Sequence, residues 1–375
     1  MNIILFFTYD ISLKDWEKSG LLSRELKFYE EIHKKYDVEF TFITFGDAND
    51  RKFINLPFIE VIPVYEYINY SKNRYLRFIK SFLVPFKLRD TFEKASLLKT
   101  NQLLGSWVAI LTKLIFRKKL IIRTGYDLVE FSKKNNKGFL KIFVYKLLTM
   151  ISLKYADIYL ASSKSDVETL TILSPRYRNK IQLRPNWVQL SESISFSNRL
   201  NDHIISIGRL EKQKNISTLV SYFQNSNFVI NVYGMGSLKD SLLNEAKNKN
   251  VNLEIHDPIQ NNKLLKELKK YKFYISTSLF EGNPKSILEA MASGCVVLTI
   301  KNKNLTEIID DNYNGIFINE DTNLVELLKS LQENEEKCDH ISKNAIQTIK
   351  DNFLLKNIIE KEYLDYKKLN ISDYP

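Results

Sequence analysis

Apolar residues recur along this chain in short unbroken runs, separated by longer stretches in which they return every three or four positions. The runs IILFF, VEFTFITF, FIEVIPV, KLIIRTG and ADIYLASS in the first half have the length and β-branched content of strands buried on both faces. HIISIG, FVINVYG, VNLEIHD, KFYISTS, CVVLTI and GIFIN repeat the rhythm in the second. Between them lie amphipathic segments such as LLSRELKFYEEIHKKY, whose spacing predicts helices. Strands alternating with helices imply βαβ units and parallel sheets. The two series are divided by QLRPNWVQLSESISFSNRLND, which holds a proline, several serines and no period.

The pattern therefore predicts an α/β chain of two Rossmann-like, doubly wound domains facing each other across a cleft. Their expected spans are residues 1–190 and 200–352, with a linker near 186–201. A last helix over about 353–375 is expected to pack back on the first domain. Ligands of such sheets bind beyond the carboxyl ends of the strands, so the chemistry should lie in the turns that follow the apolar runs.

Composition narrows the class. The chain is 44% hydrophobic and 26% charged, as soluble globular proteins are. Cys295 and Cys338 lie far apart, with no cysteine or histidine at metal-site spacing, so a reducing cytoplasm is expected and a disulfide framework is not. The opening MNIILFFTYD lacks a basic leader and reads as a first strand. No stretch reaches the roughly 18 apolar residues of a spanning helix. His33, His203, His256 and His340 are scattered, so no metal site is expected.

Charge adds one more feature. From Tyr70 to Tyr155 there are nineteen Lys or Arg against four acids, an excess larger than the net +11 of the whole chain. Tyr70 to Arg89 interleaves Arg74, Arg77, Lys80, Lys87 and Arg89 with Tyr75, Phe78, Phe82, Leu83 and Phe86, which reads as a surface for anionic lipid. For the second such stretch, Lys137 to Tyr155, we expect the apolar stripe to pack into the core with lysines reaching outward. No nucleic-acid-binding module is visible, so nucleic acid is not the expected partner.

Three segments could carry chemistry. SIGRLEKQKN sets Gly208, Arg209 and Lys214 just after a strand, where a guanidinium and an ammonium suit a diphosphate; ordinary surface cations are the plainer reading. VYGMGSLKDSL places Gly234 and Gly236 in what reads mainly as a tight strand-to-helix turn. In FEGNPKSILEAMASG, Asn283 suits an N-cap, Pro284 the first helical position and Gly294 the residue past the end, with Ile287, Leu288 and Met291 as the buried stripe. Glu281 then precedes the helix and Glu289 lies inside it. Taken singly they read as a capping carboxylate and a solvated helix residue; with Arg209 and Lys214 they read as a site.

The ordered set GRLEKQKN, EGNPKSILEAMASG with its E-x7-E spacing, and TEIIDDNYNGIFI resembles the C-terminal domain of the family 4 retaining glycosyltransferases, which have the GT-B fold. The likeness is close over about residues 203–320 and looser at PNWV, Pro185 to Val188. It implies a nucleotide-sugar donor and neither cofactor nor metal. It implies that Arg209 and Lys214 bind the diphosphate, Glu281 the hydroxyls of the transferred sugar and Glu289 the ribose. Gly282 and Asn283 would line the sugar pocket, the N–H groups near Lys285, Ser286 and Ile287 would meet phosphate, and Gly20, Gly208 and Gly234 would border the donor.

The chain departs from that pattern in several places. Family members carry a histidine after the strand that here ends LIIRTGYDL; this chain has Arg123, Thr124, Gly125, Tyr126 and Asp127. Either Tyr126 or Asp127 contacts the acceptor or backbone groups act there, and Asp127 reads equally as a turn residue. The glycine loop after the first strand is reduced to Ser19-Gly20, Cys295 stands at a usual proline, and Asn304 and Leu305 stand where a glycine pair is customary. Thr100, Asn101 and Gln102 are further acceptor candidates, with N-capping of the next helix the plainer reading.

The resulting expectation is a retaining glycosyltransferase that builds a lipid-linked surface glycan on the inner face of the cytoplasmic membrane. A sugar-nucleotide epimerase of the same fold and a non-catalytic scaffold are the alternatives. The first needs an acid and base pair that E-x7-E suits less, and the second would not need Arg209, Lys214, Glu281 and Glu289 together.

Overall fold

A computed structural model describes residues 1–125, 128–134, 138–190 and 195–371. The chain divides into two compact units, Met1–Arg184 with Ile358–Pro375, and Pro185–Asn357. In the first, strands β1 (Asn2–Phe6), β2 (Glu39–Thr44), β3 (Ile59–Pro63), β4 (Leu97–Thr100), β5 (Leu120–Thr124), β6 (Ile158–Ala161) and β7 (Ile181–Leu183) form one sheet in the order β3-β2-β1-β4-β5-β6-β7. In the second, β8 (Leu200–Ile207), β9 (Val229–Tyr233), β10 (Asn252–His256), β11 (Tyr271–Ser276), β12 (Val296–Ile300) and β13 (Ile316–Ile318) take the order β10-β9-β8-β11-β12-β13. Every pairing is parallel. This is the pair of Rossmann-like sheets expected of a GT-B chain.

Alternation explains why these strands read as unbroken apolar runs. In the second unit Ile204, Val296 and Leu298 enter the core on one face of the sheet, while Ile205 and Val297 enter the core on the other. Cys295, at the usual proline, is fully buried; burial pushes its thiol up to about 12, and its Sγ donates to the Leu268 carbonyl at 3.2 Å. It fills space rather than offering a reactive thiolate.

In both sheets the strand order reverses once, between β1 and β4 and between β8 and β11. At such a switch the two connecting chains leave in opposite directions and open a crevice beyond the strand ends.

Two strands carry no clear signal in the sequence. β4 contains the buried Lys99, and β7 is a three-residue edge. Pro185, Asn186, Trp187 and Val188 belong to the second unit, where Val188 joins the core and bridges Leu354, so the division falls earlier than residue 190. The terminal helix Leu355–Ile371 carries Glu362, Asp365 and Tyr366 into the first unit.

The helix Phe139–Tyr155 meets its expectation on one face, where Tyr145, Leu148 and Tyr155 pack against the first unit's core, and departs from it on the other. Its buried residues are Thr149, Ser152 and Leu153, while Phe139, Leu140, Phe143, Val144, Leu147, Met150 and Ile151 are exposed. Ser152 Oγ meets Ser106 Oγ of the neighbouring helix at 3.0 Å, and a second, large apolar stripe stays outside. Among the described residues no helix is long and apolar enough to cross a membrane.

Candidate functional site

The second unit's switch point is built by the loop after β8 and the loop after β11, knitted by backbone and amide bonds. Gln213 Nε2 donates to the Phe280 carbonyl at 2.9 Å, Leu279 N donates to the Gln213 carbonyl at 3.0 Å, and Thr277 Oγ1 donates to the carbonyls of Lys214 and Asn215. Asn215 turns the first loop with φ 52 before the helix Ile216–Tyr222. Lys214 Nζ and the Glu281 carboxylate, one from each loop, form an ion pair, and both are largely buried. Arg209 is exposed beside them, its guanidinium 3.2 Å from Gln213 Oε1. Three of the expected residues thus gather at one crevice. Gln213, which sequence reasoning passed over, is the latch, and no periodicity marks it.

Glycine is required where backbones touch. A Cβ at Gly234 would lie 1.9 Å from the Gly208 carbonyl oxygen, and one at Gly208 would press on the Lys214 stem at 3.0 Å. Gly234 therefore lets the turn after β9 lie on the turn that carries Arg209, and Gly208 lets the lysine stem lie flat on its own loop. Gly234→Ala is expected to cost about 1–3 kcal/mol by forcing these turns apart and to weaken nucleotide-sugar binding. A thermal melt and donor titration equal to wild type would show that the turn yields freely.

The helix after β11 spans Lys285–Ala292, a residue shorter at each end than expected. Pro284 rather than Asn283 occupies the N-cap position and offers no side-chain acceptor. Proline's fixed φ suits that position, and it holds Asn283 one step too far back to reach the first turn. Asn283 instead accepts from Asn186 N at 2.8 Å through Oδ1, and its carbonyl takes the Asn186 side-chain amide. Gly282 separates this tie from Glu281, whose own carbonyl accepts from Asn304 Nδ2 at 2.9 Å. The residue in place of the customary glycine thus anchors the catalytic candidate's backbone.

Within the helix, Lys285 Nζ lies 4.7 Å from the Trp187 ring centroid, Ser286 hydrogen-bonds the buried Tyr274, and Ile287 is core. Glu289 is buried, not solvated, and accepts from Asn261 Nδ2 at 2.8 Å. A buried carboxylate needs such a donor. Glu281 does not cap the helix either, because Lys214 holds it.

At the first unit's switch point the outcome is mixed. Asn101 donates its backbone N–H to Phe6 at 2.8 Å, and Gln102 Oε1 accepts from Gly125 N at 2.8 Å. Thr100 Oγ1 accepts from Arg123 N. None of the three caps the next helix, Ser106–Phe116, which starts from Gly105 at φ 104. Thr124 is buried, and Arg123 directs its charge at Glu362 and Lys99 inside the unit. Tyr126 and Asp127 lie outside the described residues. Gly20, at φ 69, closes the helix Leu13–Lys18 rather than a turn leaving β1. The loop that does leave β1 carries Asp10, itself left-handed at φ 64, gripped by Arg77 at 2.6 and 2.9 Å and by the Tyr65 hydroxyl at 3.1 Å. Arg77, expected at a lipid surface, is therefore turned inward.

Comparison with known proteins agrees with this geometry. The family described as glycosyl transferases group 1 matches residues 192–348. An N-acetylgalactosamine-N,N'-diacetylbacillosaminyl-diphospho-undecaprenol 4-alpha-N-acetylgalactosaminyltransferase of Campylobacter jejuni is 25% identical over 74% of this chain and 78% of its own length. Sucrose-phosphate synthase of Thermosynechococcus elongatus superposes with a TM-score of 0.79 at 15% identity, over 100% of both chains. Anabaena HepE, solved with UDP and glucose, gives 0.73 at 16% identity over 97% of this chain and 99% of its own.

Proposed function

We propose that this chain, whose residues 192–348 match the glycosyl transferases group 1, is a retaining enzyme that moves a sugar from a nucleotide-sugar donor to a lipid-linked glycan. The observation that carries the reading is the Lys214–Glu281 pair held across the β8/β11 switch point, with the start of the helix Lys285–Ala292 next in the chain. A diphosphate entering there competes with Glu281 for Lys214, adds Arg209, and meets the positive end of the helix dipole. Glu281, released, accepts from hydroxyls of the sugar beside Gly282 and Asn283. Glu289 and Asn261 take the ribose.

In the reaction the bond from the anomeric carbon to the diphosphate oxygen breaks. The acceptor hydroxyl oxygen forms the new bond on the same face, and its proton passes to the leaving diphosphate. Arg209 and Lys214 supply the positive charge that the growing diphosphate charge needs, so the scheme uses no metal.

The name of the Campylobacter relative carries a diphospho-undecaprenol saccharide, which supports a polyprenyl-linked acceptor, and HepE was solved with UDP and glucose, which supports a nucleotide donor. The outward Tyr75, Leu76, Ile79 and Phe86, with Arg74, Lys80, Lys87 and Arg89, support work at the anionic cytoplasmic face of a membrane.

Thermal shift against UDP-, GDP- and ADP-sugars tests the reading. One nucleotide class is expected to stabilise the protein, by about 2.7 kcal/mol at about 100 times its Kd, and to support transfer to a polyprenyl-diphosphate saccharide. No shift and no transfer with any of them would overturn it.

A further inference from the structure

The helix Phe139–Tyr155 is apolar on two faces: Tyr145, Leu148 and Tyr155 pack inward against the core, and a second apolar stripe is left exposed. Thr149, Ser152 and Leu153 are buried, whereas Phe139 and Leu140 are 84% and 74% exposed. At 100° per residue, the exposed Phe139, Leu140, Phe143, Val144, Leu147, Met150 and Ile151 fall within an arc of about 140°. By the same geometry Lys141 and Lys146 stand on either side of that arc, and Lys154 falls inside it at the helix's last turn. From Phe131 to Ala156 the sequence holds six lysines and no carboxylate. Leaving such a stripe in water is unfavourable, and contiguous apolar patches of this kind mark a covered surface.

We propose that this helix lies in the plane of an anionic bilayer, with its stripe among the acyl chains near the surface and Lys141 and Lys146 at phosphate level. The proposal deepens the membrane reading above and rests on it for the class of partner. Charge selects the occupant. A second copy of the chain on a two-fold axis would set one lysine-lined rim against another, because both subunits use the same patch, whereas anionic headgroups complement it. The anchor is also tied to the earlier apolar surface through the helix Ser106–Phe116. Ser106 bonds Ser152, and the next residue, Trp107, donates to Ser81 at 2.9 Å and packs on Phe78 at 5.1 Å. Leu114 and Ile115 of that connecting helix are themselves exposed.

The test is flotation of the full chain at low salt, with vesicles of equal parts phosphatidylglycerol and phosphatidylcholine against vesicles of phosphatidylcholine alone. Wild type is expected to float with the anionic vesicles only. Phe143→Glu/Leu147→Glu, both exposed positions, is expected to lose partitioning by at least about tenfold while keeping its circular dichroism and its transfer to a water-soluble acceptor. A double variant that floats like wild type, or a wild type that does not float, overturns the anchor. So does a wild-type dimer in light scattering that the double variant breaks. A wild type that floats but transfers sugar from no donor would instead refute the transferase reading and leave the anchor standing.

Discussion

Lys214→Ala is expected to lower turnover by about 10²–10³-fold, or about 2.7–4 kcal/mol of barrier, the usual effect of removing one preorganised group from developing negative charge. Lys214 is the fitting residue because the structure has already prepared it. Its stem lies on Gly208, its carbonyl is held by Thr277, and its ammonium is aimed at the loop after β11 by Glu281. Little rearrangement is then left for the reaction itself. Because the ammonium holds the donor's diphosphate before reaction as well as during bond breaking, kcat should fall and the donor KM rise, so that kcat/KM falls further than kcat. Lys212→Ala, two residues away and exposed, should stay within about twofold of wild type, since exposed charges are weakly coupled. Steady-state kinetics decide the matter. An unchanged kcat/KM for Lys214→Ala removes the residue from the mechanism.

The largest stability effect is expected at Glu362, fully buried on the terminal helix. Its carboxylate is bonded by Lys99 and by the Tyr366 hydroxyl at 3.1 Å and lies 3.6 Å from Arg184 Nε, while Arg184 also pairs with Asp365. Burial opposes ionisation of Glu362, but Lys99, Arg184 and Arg123 outweigh it and hold the carboxyl below its usual range. Glu362→Ala leaves buried cations uncompensated and should cost about 3–5 kcal/mol. Lys99→Met/Glu362→Leu should recover much of that loss, because an apolar pair replaces the ionic one. The sign with pH follows from the lowered pKa. The contribution is complete above the unfolded value of about 4.3 and is lost as acidification passes through the folded value. Urea unfolding of the three proteins at neutral and acid pH measures both effects. A Glu362→Ala midpoint equal to wild type would show that the cluster contributes nothing net.

Much of the architecture was legible from one dimension. Eleven strand-like runs correspond to strands; most are apolar because a parallel strand covered on both faces must be so at nearly every position, while the edge strand β10 has no buried residue and shows only through its alternation. β4 escaped because Lys99 interrupts LLKT, and only the terminal helix, more than two hundred residues later in the chain, supplies the carboxylate that makes a buried lysine tolerable. The helix Phe139–Tyr155 was half legible for a related reason. Amphipathic spacing shows that a helix has two faces, and it is silent on which of them turns inward. Packing settled that, with Tyr145, Leu148 and Leu153 turned to the core and Ser152 bonded to Ser106.

The candidate site divides in the same way. Arg209, Lys214, Glu281 and Glu289 stood out because cations and carboxylates after parallel strands have few structural uses. Their partners did not, since a hydrogen bond depends on positions brought together by the fold. Gln213, Asn261 and Asn304 are ordinary polar residues until the two switch-point loops meet.

The order of residues thus determined which elements form and which charges border the strand ends, because both depend on local periodicity. Tertiary structure alone decided that Lys214 and Glu281 hold each other, that Asn283 ties Asn186 instead of capping a helix, and that an apolar stripe faces outward. Each of these is a contact or a burial between residues the chain keeps apart, and no local pattern encodes it.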